Sequence, residues 1–504
     1  MLSLSKIKLI RQGLKLDHTF FNKKNYENKK SFKKKTIYVT RSLFLSIINK
    51  TSEEGIAIRT HKKWFWPLAL LTLFVTCFLL FFQFRKVHEA DTPLQQASNS
   101  EFWLLSDIHF LSSTLHDNGA AFQTFTKGAA GKEMTYQEQS IEAFTAQALK
   151  EKPTGIILTG DMTLNGEKAS AQELARLLEP LQEADIMVLA LPGNHEIYNG
   201  WARAFKGEKE YYADQISPED FQTIFAEGYE KANSIDKSSL SYSIQLNDKY
   251  RLFLLDSCIY DSEVNWDDPT TNGELKPATL TWLEEQLTLT KEAEQVPLVF
   301  LHHNLFSHNE LLQDGYVLDN ASETVALLER FNVPAVFSGH IHIQDINEGN
   351  DSLYEAVTGS YSTAELGYGV LSLSDKEINY EARQINLDAW AAETKQTDEQ
   401  LLNYQNYQKS IFEKDTDQLV RDQLSAVSEL SDAQMTKLCT FVTRLNTALF
   451  TGNDTYSAEE KAAIKDSEEY QWLATYSYFL KQYVDSMLDD QTDDRKLTIP
   501  LTAE

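Results

Sequence analysis

Six short apolar runs punctuate the middle of the chain: FWLLSD (102–107), GIILTGD (155–161), IMVLALPGN (186–194), RLFLLDS (251–257), VPLVFLHH (296–303) and PAVFSGH (334–340). Each is continuous rather than alternating, and each ends in a polar cluster. A strand buried on both faces reads this way, because neither row of side chains meets water. Between the runs the apolar spacing changes to three and four residues, predicting helices around 137–150, 166–183, 277–290 and 321–330. Strands alternating with helices predict an α/β (α+β) layered sandwich over residues 101–386, with ligands bound at the carboxyl ends of the strands.

Beyond residue 371 the only Gly is Gly452 and the only Pro is Pro500, which predicts a helical tail and a C-terminal helical domain over 387–504. Ser431 and Gln434 form a capping box ahead of Met435, Leu438, Val442, Leu445 and Leu449, and Gly452 follows the expected helix end. Trp472, Tyr476, Phe479, Leu480, Tyr483 and Met487 form a second amphipathic stripe.

The longest apolar run lies far upstream. Trp64–Phe84 has no charged residue, and its 21 residues at about 1.5 Å each match the roughly 30 Å of a bilayer core, predicting one N-terminal transmembrane helix. Charge divides across it. Residues 1–63 hold 16 Lys/Arg and 4 Asp/Glu, a net of +12, whereas residues 85–504 hold 31 and 70, a net of −39. The basic side stays in the cytoplasm, so a linker (85–100) and the rest of the chain are expected outside a single-pass cell membrane anchor. Secretion after signal-peptide cleavage is the alternative. Its apolar region would ordinarily be only about 7–15 residues, followed by a small-residue cleavage site, and Arg85-Lys86 stands there instead. The composition of 1–57, rich in Lys, Asn, Ile, Phe and Ser without apolar period, is that of a basic cytoplasmic segment or of an over-extended start. With three cysteines, Cys77, Cys258 and Cys439, a disulfide framework is not expected, which suits a Gram-positive-type bacterial surface. The acidic body excludes duplex nucleic acid as a partner; nothing in the sequence addresses the oligomeric state.

The polar clusters carry the chemistry. They are Asp107-Ile-His109, Gly160-Asp161, Gly193-Asn194-His195-Glu196, His302-His303 and Gly339-His340-Ile-His342. Carboxylate and imidazole without thiolate suit Mn, Fe or Zn. Residues at i and i+2 of a strand share a face, so Asp107/His109 and His340/His342 are each expected to aim two ligands at one ion. A neighbouring glycine lets the backbone turn sharply. D-x-H and Gly-Asp recur in many chains; GNHE and GHxH are far rarer by chance, and all five occur in order, each closing an apolar run.

That order of motifs resembles the calcineurin-like metallophosphoesterases. DNGAAF (117–122), NGEK (165–168), WARAF (201–205), ISPEDF (216–221), PTTNG (269–273), LHHNLFSHN (301–309) and SGHIHIQDI (338–346) look like its bacterial cyclic-nucleotide phosphodiesterase-like branch, over roughly residues 101–504. The resemblance implies a two-sheet β-sandwich flanked by helices, with an appended C-terminal helical domain. It also implies two divalent or trivalent metal ions, with Mn and Fe ahead of Zn. Asp107, His109 and His342 would hold one ion, Asn194, His302 and His340 the other, with Asp161 between them. His303 would support the site or face the substrate, and Glu196 would steady the His195 ring. The implied activity is hydrolysis of a small phosphodiester, a cyclic nucleotide or an extracellular envelope ester, by in-line attack of a metal-bridging hydroxide. Asn194 and His195 would act on the reacting phosphate and its leaving oxygen. A phosphomonoesterase or nucleotidase is the alternative within this chemistry, and a surface scaffold or adhesion protein with a vestigial metal site is the alternative outside it.

Overall fold

In the computed structural model, residues 93–94 and 99–501 are described, apart from 265, 267, 350–352 and 490–491. The expected membrane segment at 64–84 and the basic segment before it lie outside them. Among the described residues, no helix is long and apolar enough to cross a membrane.

All six apolar runs form strands. In chain order the strands are β1 (Ser100–Leu105), β2 (Gly155–Thr159), β3 (Met187–Leu191), β4 (Arg203–Lys206), β5 (Lys209–Tyr212), β6 (Ser234–Ile235), β7 (Tyr242–Gln245) and β8 (Tyr250–Leu254). They continue with β9 (Val296–Phe300), β10 (Ala335–Ser338), β11 (Asp345–Glu348), β12 (Tyr354–Val357), β13 (Gly367–Leu373), β14 (Glu377–Gln384) and β15 (Lys496–Pro500). One sheet has the order β15-β14-β13-β1-β2-β3 and the other β11-β12-β10-β9-β8-β7-β6, while β4 and β5 form a separate hairpin. The central pairs β1/β2, β2/β3, β8/β9 and β9/β10 are parallel.

The continuous apolar pattern follows from burial on both faces. Phe102 and Leu104 of β1 point between the sheets with Leu252, Phe300 and Phe337. Trp103 and Leu105 point outward, under helices α1 (Gln137–Glu151) and α2 (Lys168–Glu183). On the far side, Phe253, Val299 and Val336 are covered by α3 (Pro277–Glu292) and α4 (Ala321–Arg330). The four predicted helices thus fall where the spacing put them.

Two strands close the expected sandwich domain, and a third returns at the end of the tail, which is therefore not wholly helical. Residues 367–384 form the antiparallel pair β13/β14, with Ile378, Tyr380 and Ala382 alternating into the core. Absence of Gly and Pro removes helix breakers without choosing helix over strand, and the period-2 pattern decides. Residues 496–500 return as the edge strand β15 beside β14, with Pro500 at its end, where an edge tolerates proline. Between them lie α5 (Tyr404–Leu424), α6 (Asp432–Phe450), α7 (Glu468–Tyr476) and α8 (Tyr478–Ser486). The Ser431–Gln434 capping box forms as expected, and Gly452 adopts φ +62° just beyond α6. The second stripe is broken into α7 and α8 because the Ser477 hydroxyl caps a new start, accepting from Leu480 N at 3.2 Å. Residues 92–504 form one compact unit, and the helices are tied to the sandwich by Tyr404 OH to Glu133 Oε2 (3.3 Å) and Asn309 Nδ2 to Ser486 Oγ (3.1 Å).

Candidate metal centre

β1, β2, β3, β9 and β10 each hand over to a loop at one edge of the sandwich, and six of the seven predicted ligand side chains converge there. Asp107, His109, Asp161 and His342 bring one ligand atom each within 4.8 Å of one another, and Asp161, His302 and His340 do the same. Asp161 belongs to both groups.

The strands end earlier than alternation along them requires. β1 stops at Leu105 and β10 at Ser338, so the D-x-H and H-x-H pairs are made in loops. Asp107 (φ 51°), His109 (48°), Asp161 (48°), His340 (70°) and His342 (69°) all take left-handed backbone. Each such residue with a side chain costs roughly 1–2 kcal/mol, and the loops offset this by bracing one another. Asp107 N donates to Gly160 O (3.1 Å), His109 N to Asp161 O (2.9 Å), and His340 N to Asp107 Oδ2 (2.9 Å). Ser106 and Ser360 add hydroxyl donors to Asp107 Oδ2 (2.5 Å) and Asp107 O (2.9 Å). Of the three glycines, only Gly160 (φ 96°) serves a turn. At Gly193 a Cβ would lie 2.2 Å from Asp161 N and Oδ1, and at Gly339 1.8 Å from Ser106 Oγ, so these two are needed for close approach.

Hydrogen bonds decide which nitrogen of each ring faces inward. Thr159 O accepts from His302 Nδ1 (2.9 Å), leaving Nε2 3.3 Å from Asp161 Oδ1. Gly315 O accepts from His340 Nε2 (2.7 Å), leaving Nδ1 3.2 Å from His302 Nε2. His342 Nε2 lies 3.2 Å from Asp107 Oδ1 and 3.0 Å from His109 Nε2. Carbonyl oxygens only accept, so the outer nitrogen carries the hydrogen and the inner one presents a lone pair.

Charge is concentrated here. Burial disfavours the charged form of Asp161, but His302 and His195 outweigh it and hold its carboxyl well below the usual range. Burial likewise opposes a proton on His302, yet Asp161 and Asp107 raise its pKa to about 9. Burial and His302 together push His340 down to about 3. The carboxylate pair therefore draws positive charge to this point. Asp107 Oδ1 and both side-chain polar atoms of Asn194 are buried without any hydrogen-bond partner. An unsatisfied buried polar group costs about 1–3 kcal/mol, a cost that a cation accepting the oxygen lone pairs removes. The donor set and its orphaned oxygens fit two metal ions.

His195 is the most open of these rings, its side chain 22% exposed against 14% for His342 and none for His302. Leu164 O accepts from its Nδ1 (2.8 Å), beside Asn165 Oδ1 (3.0 Å), and its Nε2 lies 3.8 Å from Asp161 Oδ2. Glu196 does not steady this ring. Its carboxyl accepts from Thr163 N and Oγ1 (both 3.0 Å) and from Gly193 N (2.7 Å), so it orders the loops carrying Asp161 and Asn194. Burial, with Asp161 nearby, raises the Glu196 pKa to about 8. His303 turns away from the centre, its Nδ1 on Ser257 Oγ (2.8 Å) and its Nε2 on Thr271 O (3.2 Å), and its ring packs on His340.

Three supporting side chains escape a sequence reading. Gln137 donates to His109 O (2.9 Å) and accepts from Leu111 N (2.9 Å). Asn165 sits inside the NGEK motif but meets His195 only in three dimensions. Lys132 is placed by its neighbour Glu133, whose N donates to Ser362 O (2.8 Å). Its ammonium is attracted by Asp161 and Asp107 and acts against protonation of His109 and His342. No spacing marks any of the three.

Residues 100–344 match the calcineurin-like phosphoesterase family, and residues 386–494 match the C-terminal domain of cyclic nucleotide phosphodiesterase. The chain thus carries a calcineurin-like phosphoesterase domain, followed by a domain of the cyclic nucleotide phosphodiesterase kind. A 3′,5′-cyclic adenosine monophosphate phosphodiesterase from Haemophilus influenzae is 28% identical over 213 residues, covering 41% of this chain and 62% of that protein. A 3′,5′-cyclic-nucleotide phosphodiesterase from Nostoc is 26% identical over 188 residues, covering 37% and 55%. The match thus spans somewhat over half the length of these two relatives. A manganese-dependent ADP-ribose/CDP-alcohol diphosphatase from Xenopus tropicalis is 24% identical over 282 residues, covering 48% and 78%.

Proposed function

We propose that the chain is a dinuclear metal-dependent phosphodiesterase whose substrate is a cyclic nucleotide or another small extracellular phosphodiester. The observation that carries this reading is the sharing of Asp161 between two ligand clusters that meet at one strand edge. Asp107, His109 and His342 would hold one ion, and Asn194, His302 and His340 the other. Bound there, two divalent ions supply Lewis acidity to a phosphoryl group and to the water that attacks it. The protein's own groups do the rest. With its Nδ1 hydrogen engaged by Leu164 O, the imidazolium form of His195 carries its second hydrogen on Nε2, which would pass to the leaving oxygen and leave the neutral ring. The Asn194 amide nitrogen has no protein partner and is free to donate to a phosphate oxygen. The hard oxygen and imidazole donors favour Mn or Fe, and the manganese dependence named for the Xenopus relative agrees. The three relatives are named for nucleotide substrates, which supports a nucleotide here.

The full-length chain supplied with Mn²⁺ is expected to hydrolyse 3′,5′- or 2′,3′-cyclic nucleotides or a glycerophosphodiester, and aryl phosphomonoesters more slowly. Faster turnover of the monoester would move the reading to a phosphomonoesterase, and no metal-dependent turnover of any ester would leave the scaffold reading. His302→Ala is expected to release metal, measured as ions per chain, while His303→Ala retains it. The reverse result would exchange their roles.

The reading also places the catalytic domain outside the cell on a single-pass anchor at 64–84, supported by that apolar run and by the charge division across it. Protease added to intact cells is expected to remove the domain; complete protection would contradict an outside location.

A further inference from the structure

Eleven large apolar side chains are exposed among the described residues, and six fall in two short stretches: Trp201, Tyr211 and Tyr212, then Ile259, Val264 and Trp266. Single exposed apolar residues are ordinary, but a cluster marks a contact surface. The two stretches meet. The Tyr212 and Trp266 rings lie 4.6 Å apart at 70°, the Arg203 guanidinium sits 4.2 Å above the Tyr212 ring, and the Trp201 indole N–H donates to Asp268 Oδ1 at 3.1 Å. The result is a shelf of aromatic faces edged by one cation.

Both sides of the shelf lead to the metal centre. Trp201 N donates to Asn199 Oδ1 (2.9 Å), and Asn199 Nδ2 donates to His195 O (3.2 Å). Downstream of Trp266, Thr271 O accepts from His303 Nε2 (3.2 Å), and Gly273 lies so close to the His303 ring that a Cβ would stand 2.3 Å from it. The shelf is therefore tied on one side to the loop that carries the most open ring of the centre, and on the other its chain runs on to residues that pack against His303, behind His340. Across the hairpin and the facing stretch, Glu208, Glu210, Asp261, Glu263 and Asp268 outnumber Arg203, Lys206 and Lys209, a balance that opposes an anionic lipid surface as occupant.

We propose that Trp201, Tyr212 and Trp266, with Arg203, form the subsite for a nucleobase of the phosphodiester turned over at the metal centre. This rests on the phosphodiesterase reading above. Flat heteroaromatic rings stack on Trp and Tyr faces at about 1–3 kcal/mol per base, and an Arg fixed beside the stack supplies a cation to the same π surface. A substrate held in this way at its base and at its phosphate spans the open side of the centre, past His195.

The test is Trp201→Ala/Trp266→Ala in the full-length chain. KM for a cyclic nucleotide is expected to rise about tenfold or more, since each 1.4 kcal/mol is a factor of ten, with kcat little changed. KM for glycerol 1,2-cyclic phosphate, which has no base, should stay as in the parent. An unchanged nucleotide KM overturns the proposal, as does an equal rise for the base-free ester. So does loss of self-association or of vesicle binding with nucleotide KM unaltered, which would assign the shelf to a second copy or to a membrane. A second readout needs no turnover: titrated AMP should quench tryptophan fluorescence in the parent and in Asp161→Asn, but not in the double variant. If the parent hydrolyses neither ester, the phosphodiesterase reading fails while the quenching still decides the shelf.

Discussion

Asp161→Asn is expected to lose turnover of any phosphodiester by about 10³-fold or more, with the fold intact. Asp161 is the one residue in both ligand groups, with Oδ1 3.3 Å from His302 and Oδ2 3.9 Å from His109 and 3.8 Å from His195. Asparagine keeps the size of the side chain and the oxygen that accepts from His195 N (2.9 Å). What it removes is the negative charge that draws cations to the point midway between the clusters. Metal ions contribute several kcal/mol of charge stabilisation in such reactions, and each 1.36 kcal/mol is a factor of ten in rate. Steady-state kinetics with excess Mn²⁺, beside a circular-dichroism spectrum that matches the parent, checks it. A fall of less than tenfold would remove Asp161 from the bridging position.

The second large effect lies in stability. His308, in the loop after β9, is fully buried between Asp345 of β11 and Glu355 of β12, with Nε2 3.0 Å from Glu355 Oε2 and Nδ1 bonded to Asp345 Oδ2. Glu355 also accepts from Leu305 N (2.9 Å), Phe306 N (2.8 Å) and Ser338 Oγ (2.7 Å). This knot therefore binds the loop that carries His302 to the end of the strand that precedes His340. Burial disfavours the charged ring, but Asp345 and Glu355 outweigh it and raise its pKa to about 10. The unfolded value is about 6.5. A pKa raised by folding contributes stability that is complete below about 6.5 and is lost as pH climbs through about 10. His308→Leu leaves two carboxylates buried without their cation, which costs about 3–5 kcal/mol. Thermal unfolding should show a much lower midpoint for the variant at pH 7, and the gap to the parent should narrow toward pH 10. A gap of the same size at both pH values would show that packing, not the charge on His308, holds the knot.

Much of this architecture can be read from residue order. The six runs are strands because a strand buried on both faces leaves no polar position to interrupt it, and the Ser431–Gln434 box marks a helix start through a bond made within four residues. The convergence of Asp107, Asp161, His302 and His340 was also legible, since each closes an apolar run. Local conformation at the ligands was not legible. The paired ligands meet through left-handed loops rather than strand alternation, because Asp107 and His340 are held by hydrogen bonds to partners far away in the chain. Residues 496–500, expected within the helical domain, form a strand instead, because pairing with β14 decides. Glu196 stands next to His195 in sequence, yet its carboxyl bonds Thr163 and Gly193. Lys132, Glu355 and the Trp201–Trp266 shelf have their meaning only through contacts that no spacing encodes.

The most direct test of a two-ion centre is anomalous scattering from crystals of the full-length chain grown with Mn²⁺. Two peaks about 3.5–4 Å apart are expected, one touched by Asp107, His109 and His342, the other by Asn194, His302 and His340, with Asp161 between them. A single peak, or two peaks that do not share Asp161, would contradict it.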